Sequence, residues 1–168
     1  MSASDDERPL AIIDLDGVVA DVRHRLPYLE RRPKNWTAFF AAARHDAVHP
    51  EGVAVVDMLA SDHEVVFLTG RPHHLHDDTV RWLDEHGLGG RRVVMRPQGD
   101  RRPAAVLKLE LLEALADGRT VGIVVDDDPV VLDALRRAGY HTFAADWEAR
   151  PADADQAMQE AQEHDGRT

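Results

Sequence analysis

The chain has 168 residues, enough for one domain with a sizeable core but too few for two ordinary domains. Apolar residues make up 43 %, which is typical of a globular protein, and no apolar run approaches the length of a membrane span. The absence of cysteine excludes disulfides, thiolate metal sites and cysteine nucleophiles, and the net charge of −11 excludes binding to nucleic acid through the overall field of the protein.

The two ends of the chain carry much of the acidic excess. Residues 1–8 are polar and acidic, so we expect a disordered N-terminus and no signal peptide. After Trp147 the apolar pattern fades, and residues 148–168 are expected to be an acidic C-terminal tail that forms an exposed helix or frays. A chain without cysteine suits a reducing cytosol, so we expect a cytoplasmic protein.

Short apolar runs alternate with amphipathic stretches in residues 9–147. In chain order the pattern predicts a strand at 10–13, helices at 36–43 and 51–61, a strand at 64–68, a helix at 74–86, a strand at 92–95, a helix at 103–116, a strand at 121–125, a helix at 130–138 and a strand at 140–144. This alternation indicates one three-layer α/β/α, Rossmann-like domain with a central parallel sheet. Ligands of such sheets bind at the carboxyl ends of the strands, where we expect the chemically active residues.

The first strand ends in two carboxylates, Asp14 and Asp16, followed by Gly17, which allows a sharp turn. Neighbouring buried carboxylates repel each other, and a divalent cation with a preference for oxygen ligands would neutralise them. The competing interpretation is an ordinary turn with capping aspartates.

Three later segments offer further polar groups. Thr69 and Gly70 follow the second strand and can offer a hydroxyl and a close amide to a phosphate oxygen, although a plain turn has the same sequence. Lys108 lies in an apolar helical stretch, where it either neutralises an anion or extends along the surface. Asp126 and Asp127 directly follow a buried strand, which indicates a cation site or acids at a helix N-terminus.

Together, the order of these motifs resembles the four motifs of the haloacid dehalogenase (HAD)-like hydrolase superfamily, over roughly residues 8–145. The motifs are Asp14-x-Asp16-Gly17, Leu68-Thr69-Gly70-Arg71, Lys108 and Asp126-Asp127. The resemblance implies an HAD-like fold and a magnesium-dependent phosphatase that cleaves phosphate monoesters through an aspartyl-phosphate. A two-component receiver domain also has paired acids after its first strand, but its acceptor aspartate precedes the threonine. Here the second acidic cluster, Asp126-Asp127, follows both the threonine and the lysine, so a receiver domain is excluded.

The resemblance also implies catalytic roles for individual residues. Asp14 would be the nucleophile, and Asp16 the general acid and base, which requires a raised pKa. Thr69 would bind the transferring phosphoryl group with help from the Gly70 amide, and Lys108 would hold Asp14 and the phosphate.

The same resemblance implies a Mg²⁺ site. Its ligands would be Asp14, the backbone carbonyl of Asp16, and Asp126, with Asp127 as a ligand through water or a support.

Within the superfamily, the sequence is most similar to the 3′-phosphatase domain of polynucleotide kinases. A local basic patch that includes Arg25, Arg71 and Arg96 could hold a phosphate backbone, and Gly70 could offer its amide to substrate, although the arginines could also be ordinary surface residues. The chain departs from the subgroup in Val18-Val19, where a threonine is common, and in Asp128, where a basic residue is frequent. No Gly-x-x-x-x-Gly-Lys sequence of a kinase occurs in these residues.

Superfamily members often carry a cap domain, and here residues 18–50 are long enough for a minimal cap of two short helices. The second position at which these proteins insert a cap is the segment 73–102, which is already occupied by a helix, a strand and a loop. Because neither position has room for a large cap, we expect an open site. An open site admits a nucleic-acid 3′ end, or a nucleotide if a neighbour in a homo-oligomer closes it. Two alternatives to a polynucleotide 3′-phosphatase therefore remain: a phosphatase of nucleotides or sugar phosphates, and a non-catalytic binding module, whose expected sign is the loss of motif residues.

Overall fold

The computed structural model describes residues 8–165, and within them a five-stranded sheet carries helices on both faces. The predicted three-layer α/β/α architecture is therefore confirmed. The predicted disordered segment, residues 1–8, lies outside the described residues except for Arg8. Among residues 8–165, no helix is both long and apolar enough to cross a lipid bilayer.

The strands are β1 (Leu10–Ile13), β2 (Ala20–Asp21), β3 (Ala47–Val48), β4 (Glu64–Pro72), β5 (Arg92–Arg96), β6 (Val121–Asp126) and β7 (Thr142–Ala144). The α-helices are α1 (Pro27–Glu30), α2 (Trp36–Ala41), α3 (Pro50–Leu59), α4 (His76–Glu85), α5 (Ala104–Leu115), α6 (Pro129–Arg137) and α7 (Ala154–Asp165). Each predicted strand and helix is present, with ends that differ by a few residues. The short strands β2 and β3, which the sequence analysis did not predict, pair antiparallel with each other.

The main sheet has the order β5-β4-β1-β6-β7, and all of its strands are parallel. The central strand β1 is fully buried, as its continuous apolar sequence predicts. Its last residue, Ile13, lies beside Phe67 of β4 and Val125 of β6. Because parallel strands end at the same edge of the sheet, the residues that follow these three positions converge on one place.

Alternate residues of β1 face opposite helical layers, as the two-residue period of a strand requires. Ala11 and Ile13 pack in the cluster that holds residues of α3 and α4, whereas Leu10 and Ile12 pack in the cluster that holds residues of α5 and α6. Each fully buried isoleucine or leucine contributes about 1.5–3 kcal/mol relative to an exposed one. The two layers hold β1 in place and so fix the position of the residue that follows it.

A third buried cluster lies outside the sheet and joins the 18–50 insertion to the C-terminal helix. Phe39 and Phe40 of α2 contribute to it together with Ala154, Met158 and Ala161 of α7. The expected exposed or frayed C-terminal segment is therefore a helix with one buried face. The apolar residues of α7 are spaced four and three apart, which is a helical face, but two of them are alanines and give only a weak apolar signal.

Candidate active site

The ends of β1 and β6 and the middle of α5 bring two carboxylates and one ammonium group together. Lys108 Nζ donates a hydrogen bond to Asp126 Oδ2 at 2.6 Å and lies 3.1 Å from Asp14 Oδ2. All three side chains are buried. Burial excludes the interpretation of Lys108 as a surface lysine, because its charged end lies between two acids instead of in water.

The electrostatics of this group are dominated by burial. Burial raises the pKa of Asp14 well above its ordinary value; Lys108 opposes this shift and the charge of Asp126 adds to it. Burial alone would lower the pKa of Lys108. The negative charges of Asp126 and Asp14 outweigh this effect and raise the pKa. The second oxygen, Asp14 Oδ1, is buried without a hydrogen-bond partner among residues 8–165. An unpartnered buried carboxylate oxygen is costly unless a cation or a substrate engages it.

Three carboxylates could hold a metal ion at this position. Oxygen atoms of Asp14, Asp126 and Asp127 all lie within 4.8 Å of one another. Burial, together with the charge of Asp126, raises the pKa of Asp127 to about 7. A set of oxygen ligands that repel each other, one of them without a partner, fits a hard divalent cation such as Mg²⁺.

The turn after β1 depends on a glycine. Gly17 has a φ of 78°, in the left-handed region that glycine adopts without strain. A Cβ atom here would overlap the carboxylate of Asp127. The glycine therefore lets the turn pass directly beside the acidic cluster.

Thr69 and Gly70 lie near the carboxyl end of β4. Thr69 is buried, and its hydroxyl oxygen accepts a hydrogen bond from the backbone N–H of Arg71 at 3.2 Å. Gly70 is approached from outside the sheet by Gln162 of α7, whose side-chain oxygen would overlap a Cβ atom at residue 70. Both residues therefore occupy the strand edge at which the sequence analysis expected them.

Asp16 lines the same cavity as Asp14, but its carboxylate is held by a buried network of arginines. Asp16 Oδ1 accepts hydrogen bonds from Arg25 Nη2 at 2.7 Å and from Arg71 Nη2 at 2.6 Å. Burial by itself would raise the pKa of Asp16, but the two guanidinium groups outweigh it and lower this pKa to about 2. The expectation of a raised pKa is therefore wrong for this arrangement, because cations and not carboxylates are the nearest charged neighbours of Asp16.

The sequence analysis missed Asp46, which completes this network. Its two oxygens accept hydrogen bonds from Arg25 Nε at 3.0 Å and from Arg71 Nη2 at 3.0 Å, and its side chain is fully buried. Its backbone carbonyl accepts a hydrogen bond from Trp82 Nε1 at 2.8 Å. Two arginines and two aspartates, Asp16 and Asp46, thus neutralise one another inside the protein. Only contacts between distant residues identify Asp46, because the polar sequence Arg44-His45-Asp46 is typical of an exposed surface segment.

Replacing Asp46 by asparagine is expected to lower the free energy of unfolding by about 3–5 kcal/mol, because it leaves one buried guanidinium charge uncompensated. Urea denaturation would measure the loss. The matched control is His24→Gln: the half-exposed His24 also contacts Asp46, at 2.7 Å, and its loss should cost less than about 1 kcal/mol. Equal stability of Asp46→Asn and the parent would contradict this account of the network.

Arg96, the third predicted substrate-binding arginine, is fully buried beneath Gly70. Its Nε donates to the carbonyl of Gly70 at 3.2 Å, and its Nη1 donates to the carbonyl of Arg102 at 2.8 Å. Through these hydrogen bonds, Arg96 links the loop after β5 to the carboxyl end of β4. The three arginines Arg25, Arg71 and Arg96 all lie inside the protein, which excludes their interpretation as ordinary surface residues.

Helix α7 and the segment before it cover the strand edge. Arg150 forms an ion pair with Asp127, and Gln159 Nε2 donates to Asp128 Oδ2 at 2.7 Å. The cavity between α7 and the carboxylates of Asp14 and Asp127 has a volume of about 30 Å³, room for a water molecule or two. The site is therefore less open than expected, because the C-terminal segment, together with residues of the 18–50 insertion, covers part of the strand edge.

Comparison with known proteins identifies the family. Residues 9–148 match the profile of the polynucleotide kinase PNKP phosphatase domain. A search of curated proteins found no significant match.

Solved structures agree with this assignment. The chain is similar to a chain of the Pnkp1/Rnl/Hen1 RNA repair complex, with 26 % identity and a TM-score of 0.70, over 85 % of this chain and 44 % of that one. A second structure of the Pnkp1/Rnl/Hen1 complex gives 25 % identity and a TM-score of 0.71, over 86 % of this chain and 48 % of that one. The chain thus spans less than half the length of these relatives.

A haloacid dehalogenase-like hydrolase from Streptococcus pneumoniae shares the fold alone, at 13 % identity and a TM-score of 0.61, over 89 % of this chain and 90 % of that one. The matched profile covers the motifs at Asp14, Thr69, Lys108 and Asp126 and most of the chain. The chain therefore belongs to the polynucleotide kinase phosphatase-domain family of HAD-like hydrolases, and it is a phosphatase.

Proposed function

We propose that this phosphatase cleaves phosphate monoesters in a Mg²⁺-dependent reaction with Asp14 as the nucleophile. The observation that carries the proposal is the state of the Asp14 carboxylate. One of its oxygens lies 3.1 Å from Lys108 Nζ, and the other has no partner, while the residue lines the cavity at the strand edge. This carboxylate has a free oxygen for attack and a neighbouring cation that offsets its charge.

The reaction would proceed in two steps through an aspartyl-phosphate. An oxygen of Asp14 forms a bond to phosphorus while the bond between phosphorus and the ester oxygen breaks, and Asp16 gives a proton to the departing alcohol. Asp16 then takes a proton from water, whose oxygen attacks phosphorus and releases Asp14 and inorganic phosphate. Because Arg25 and Arg71 hold Asp16 as an anion, Asp16 must leave these arginines and take up a proton from solvent before it can give one to the departing alcohol.

The residues around the cavity would share the remaining tasks. A magnesium ion held by Asp14, Asp126 and Asp127 supplies charge compensation against the anionic ester when bound. Lys108 would hold Asp14 and contact the phosphoryl group. Thr69 and the Gly70 amide would bind the phosphoryl oxygens.

We further propose that the substrate is a polynucleotide 3′-phosphate. The family match and the similarity to chains of an RNA repair complex support this substrate class. The net charge of −11 and the small cavity favour the alternative, a nucleotide or another small phosphate ester. The motif residues Asp14, Asp16 and Lys108 are all present, which argues against a non-catalytic binding module.

A panel of three substrates separates these possibilities: a 3′-phosphorylated oligonucleotide, a nucleoside monophosphate and p-nitrophenyl phosphate. We expect the highest kcat/KM for the oligonucleotide, and phosphate release measures it. Radioactive phosphate from the substrate should also become attached to the acid-quenched protein and be released by hydroxylamine, as an acyl phosphate is. Preference for the nucleoside monophosphate would select the alternative, and hydrolysis without protein labelling would contradict the aspartyl-phosphate.

Removing divalent cations should abolish turnover, and adding Mg²⁺ should restore it. Because a cation that binds only the folded protein stabilises it, Mg²⁺ at 100 times its Kd should raise the free energy of unfolding by about 2.7 kcal/mol. Thermal melting with EDTA and with Mg²⁺ measures this effect independently of activity. In the control variant Asp126→Asn, which removes a carboxylate charge from the cluster, the Mg²⁺-dependent shift should shrink. Full activity in EDTA would contradict the metal requirement.

The predicted catalytic domain, residues 9–147, and the cytoplasmic location remain part of this proposal. The absence of cysteine supports the location. The predicted closure by a homo-oligomeric neighbour is not needed, since α7 covers the site within one chain.

A further inference from the structure

The cover over the catalytic residues is attached at two edges. At the outer edge, Lys34 forms an ion pair with Glu160, and the rings of Trp36 and His164 stack with their centres 4.9 Å apart. Lys34 and Trp36 belong to the 18–50 insertion, so α7 and this insertion form one roof above the strand edge.

At the inner edge, polar side chains of the C-terminal segment reach the catalytic cluster itself. Arg150 pairs with Asp127 and also lies 2.7 Å from Asp155 at the start of α7. Burial alone would lower the pKa of Arg150, but Asp127, Glu148 and Asp155 raise it, so the side chain stays a cation beside the acidic cluster. The guanidinium group thus links α7 to a carboxylate of the cluster.

The α7 side chains leave only a narrow space beside Asp14. Those that line the cavity are Asp155, Met158, Gln159 and Gln162. The remaining volume of about 30 Å³ is enough for a water molecule or two, whereas a phosphate ester places four oxygens around phosphorus. Gln162 also lies against Gly70, the residue whose amide is expected to bind phosphoryl oxygens.

The attachment of α7 is weak enough to be reversible. The helix buries Ala154, Ala161 and one larger apolar residue, Met158, so little apolar surface holds it. The ion pair at the outer edge, Lys34–Glu160, is partly exposed and contributes little net stability. The nearly buried pair at the inner edge, Arg150–Asp127, involves a residue that precedes α7 and reaches the helix only through the half-exposed Asp155. Helix α7 also lies beyond residues 9–148, which match the family profile, so this part of the roof is not part of the matched domain.

We propose that α7 is a lid that closes the phosphatase site and must be displaced before a phosphate ester reaches Asp14. This inference rests on the proposed function. A small ester needs the lid to move away from Gly70 only briefly. An oligonucleotide needs the lid to stay displaced while the nucleic-acid chain lies across the carboxyl edge of the β-sheet. The lid therefore also bears on specificity, since holding it shut lowers turnover of a long substrate more than turnover of a short one. The apparent affinity of each substrate falls with the fraction of molecules whose lid is open.

A reversible lock on the full chain tests the proposal. The protein has no cysteine, so the double variant Lys34→Cys/Glu160→Cys carries the only two thiols, and a short bis-methanethiosulfonate reagent can join them at the outer edge of the lid. We expect the joined protein to lose about tenfold or more of its kcat/KM toward the 3′-phosphorylated oligonucleotide, with a smaller loss for p-nitrophenyl phosphate. Dithiothreitol should restore both activities. Each single variant treated with the same reagent is the matched control.

A distance measurement separates failure of the lid from failure of the proposed function. Spin labels at the same two positions, in an Asp14→Asn background, should show one short distance alone and an added longer population with the 3′-phosphorylated oligonucleotide and Mg²⁺. A joined protein as active as the reduced one, or an unchanged distance while the unlabelled parent hydrolyses the oligonucleotide, would overturn the lid. A parent inactive on all three substrates whose distance still lengthens would overturn the proposed function and support the lid.

Discussion

Asp14→Asn is expected to abolish phosphate release and to lower kcat by more than about 10⁴-fold, a loss of the order that follows removal of the nucleophile in other hydrolases. The amide keeps the shape of the side chain but is a poor nucleophile and carries no charge for Lys108 or a cation to engage. Single-turnover phosphate release measures the loss, and the labelled acyl phosphate should disappear with it.

The folded state should survive this change. The substitution Asp14→Asn removes a charge from a buried acidic cluster in which burial already raises the pKa of the carboxyl, so the melting temperature should stay the same or rise. Asp57→Asn, on the exposed face of α3, is a matched control that should retain full activity. Substantial turnover by Asp14→Asn would exclude this residue as the nucleophile and would require another group at the strand edge.

Lys108→Met is expected to lower the free energy of unfolding by about 3–5 kcal/mol at neutral pH, because it leaves buried carboxylates without their ammonium partner. Methionine fills a similar volume, so the loss reports charge and not packing. Phosphate release should fall as well, since nothing then offsets the charge of Asp14 during attack. Urea denaturation and steady-state kinetics measure the two effects.

A second substitution tests the cause of this loss. Lys108 Nζ donates to Asp126 Oδ2 at 2.6 Å, so Lys108→Met/Asp126→Asn removes both members of the pair. The double variant should be more stable than Lys108→Met alone, although it should remain inactive. Mg²⁺ should also recover part of the stability of Lys108→Met by occupying the cluster. A single variant that unfolds at the same urea concentration as the parent would contradict the assigned role of Lys108.

Local patterns predicted the sheet and the positions of the motif residues. Continuous apolar runs such as residues 10–13 are typical of central parallel strands, and their ends necessarily meet at one edge of the sheet. That geometry is why Asp14 and Asp126, 112 positions apart in the sequence, could be expected to lie together. The roles of the individual side chains came from the family resemblance, and they remain proposals.

The features that sequence reasoning missed all depend on contacts between distant segments. The pKa of Asp16 is lowered by Arg25 and Arg71, and no local pattern shows which charges surround a buried group. Asp46 looks like a loop residue until its arginine partners are known. The burial of one face of α7 was not predicted because that face is mostly alanine, and Arg150 was not predicted because it follows the point at which the apolar pattern fades.

The acidity of the lid has a consequence for the encounter with substrate. Asp155, Glu160 and Glu163 lie on α7, and the whole chain carries a net charge of −11. A polyanion that diffuses toward this surface meets long-range repulsion, which dissolved ions weaken beyond a Debye length of about 8 Å at physiological ionic strength. Added salt thus speeds the approach of a nucleic acid to this enzyme, whereas it weakens the binding of nucleic acids to basic proteins.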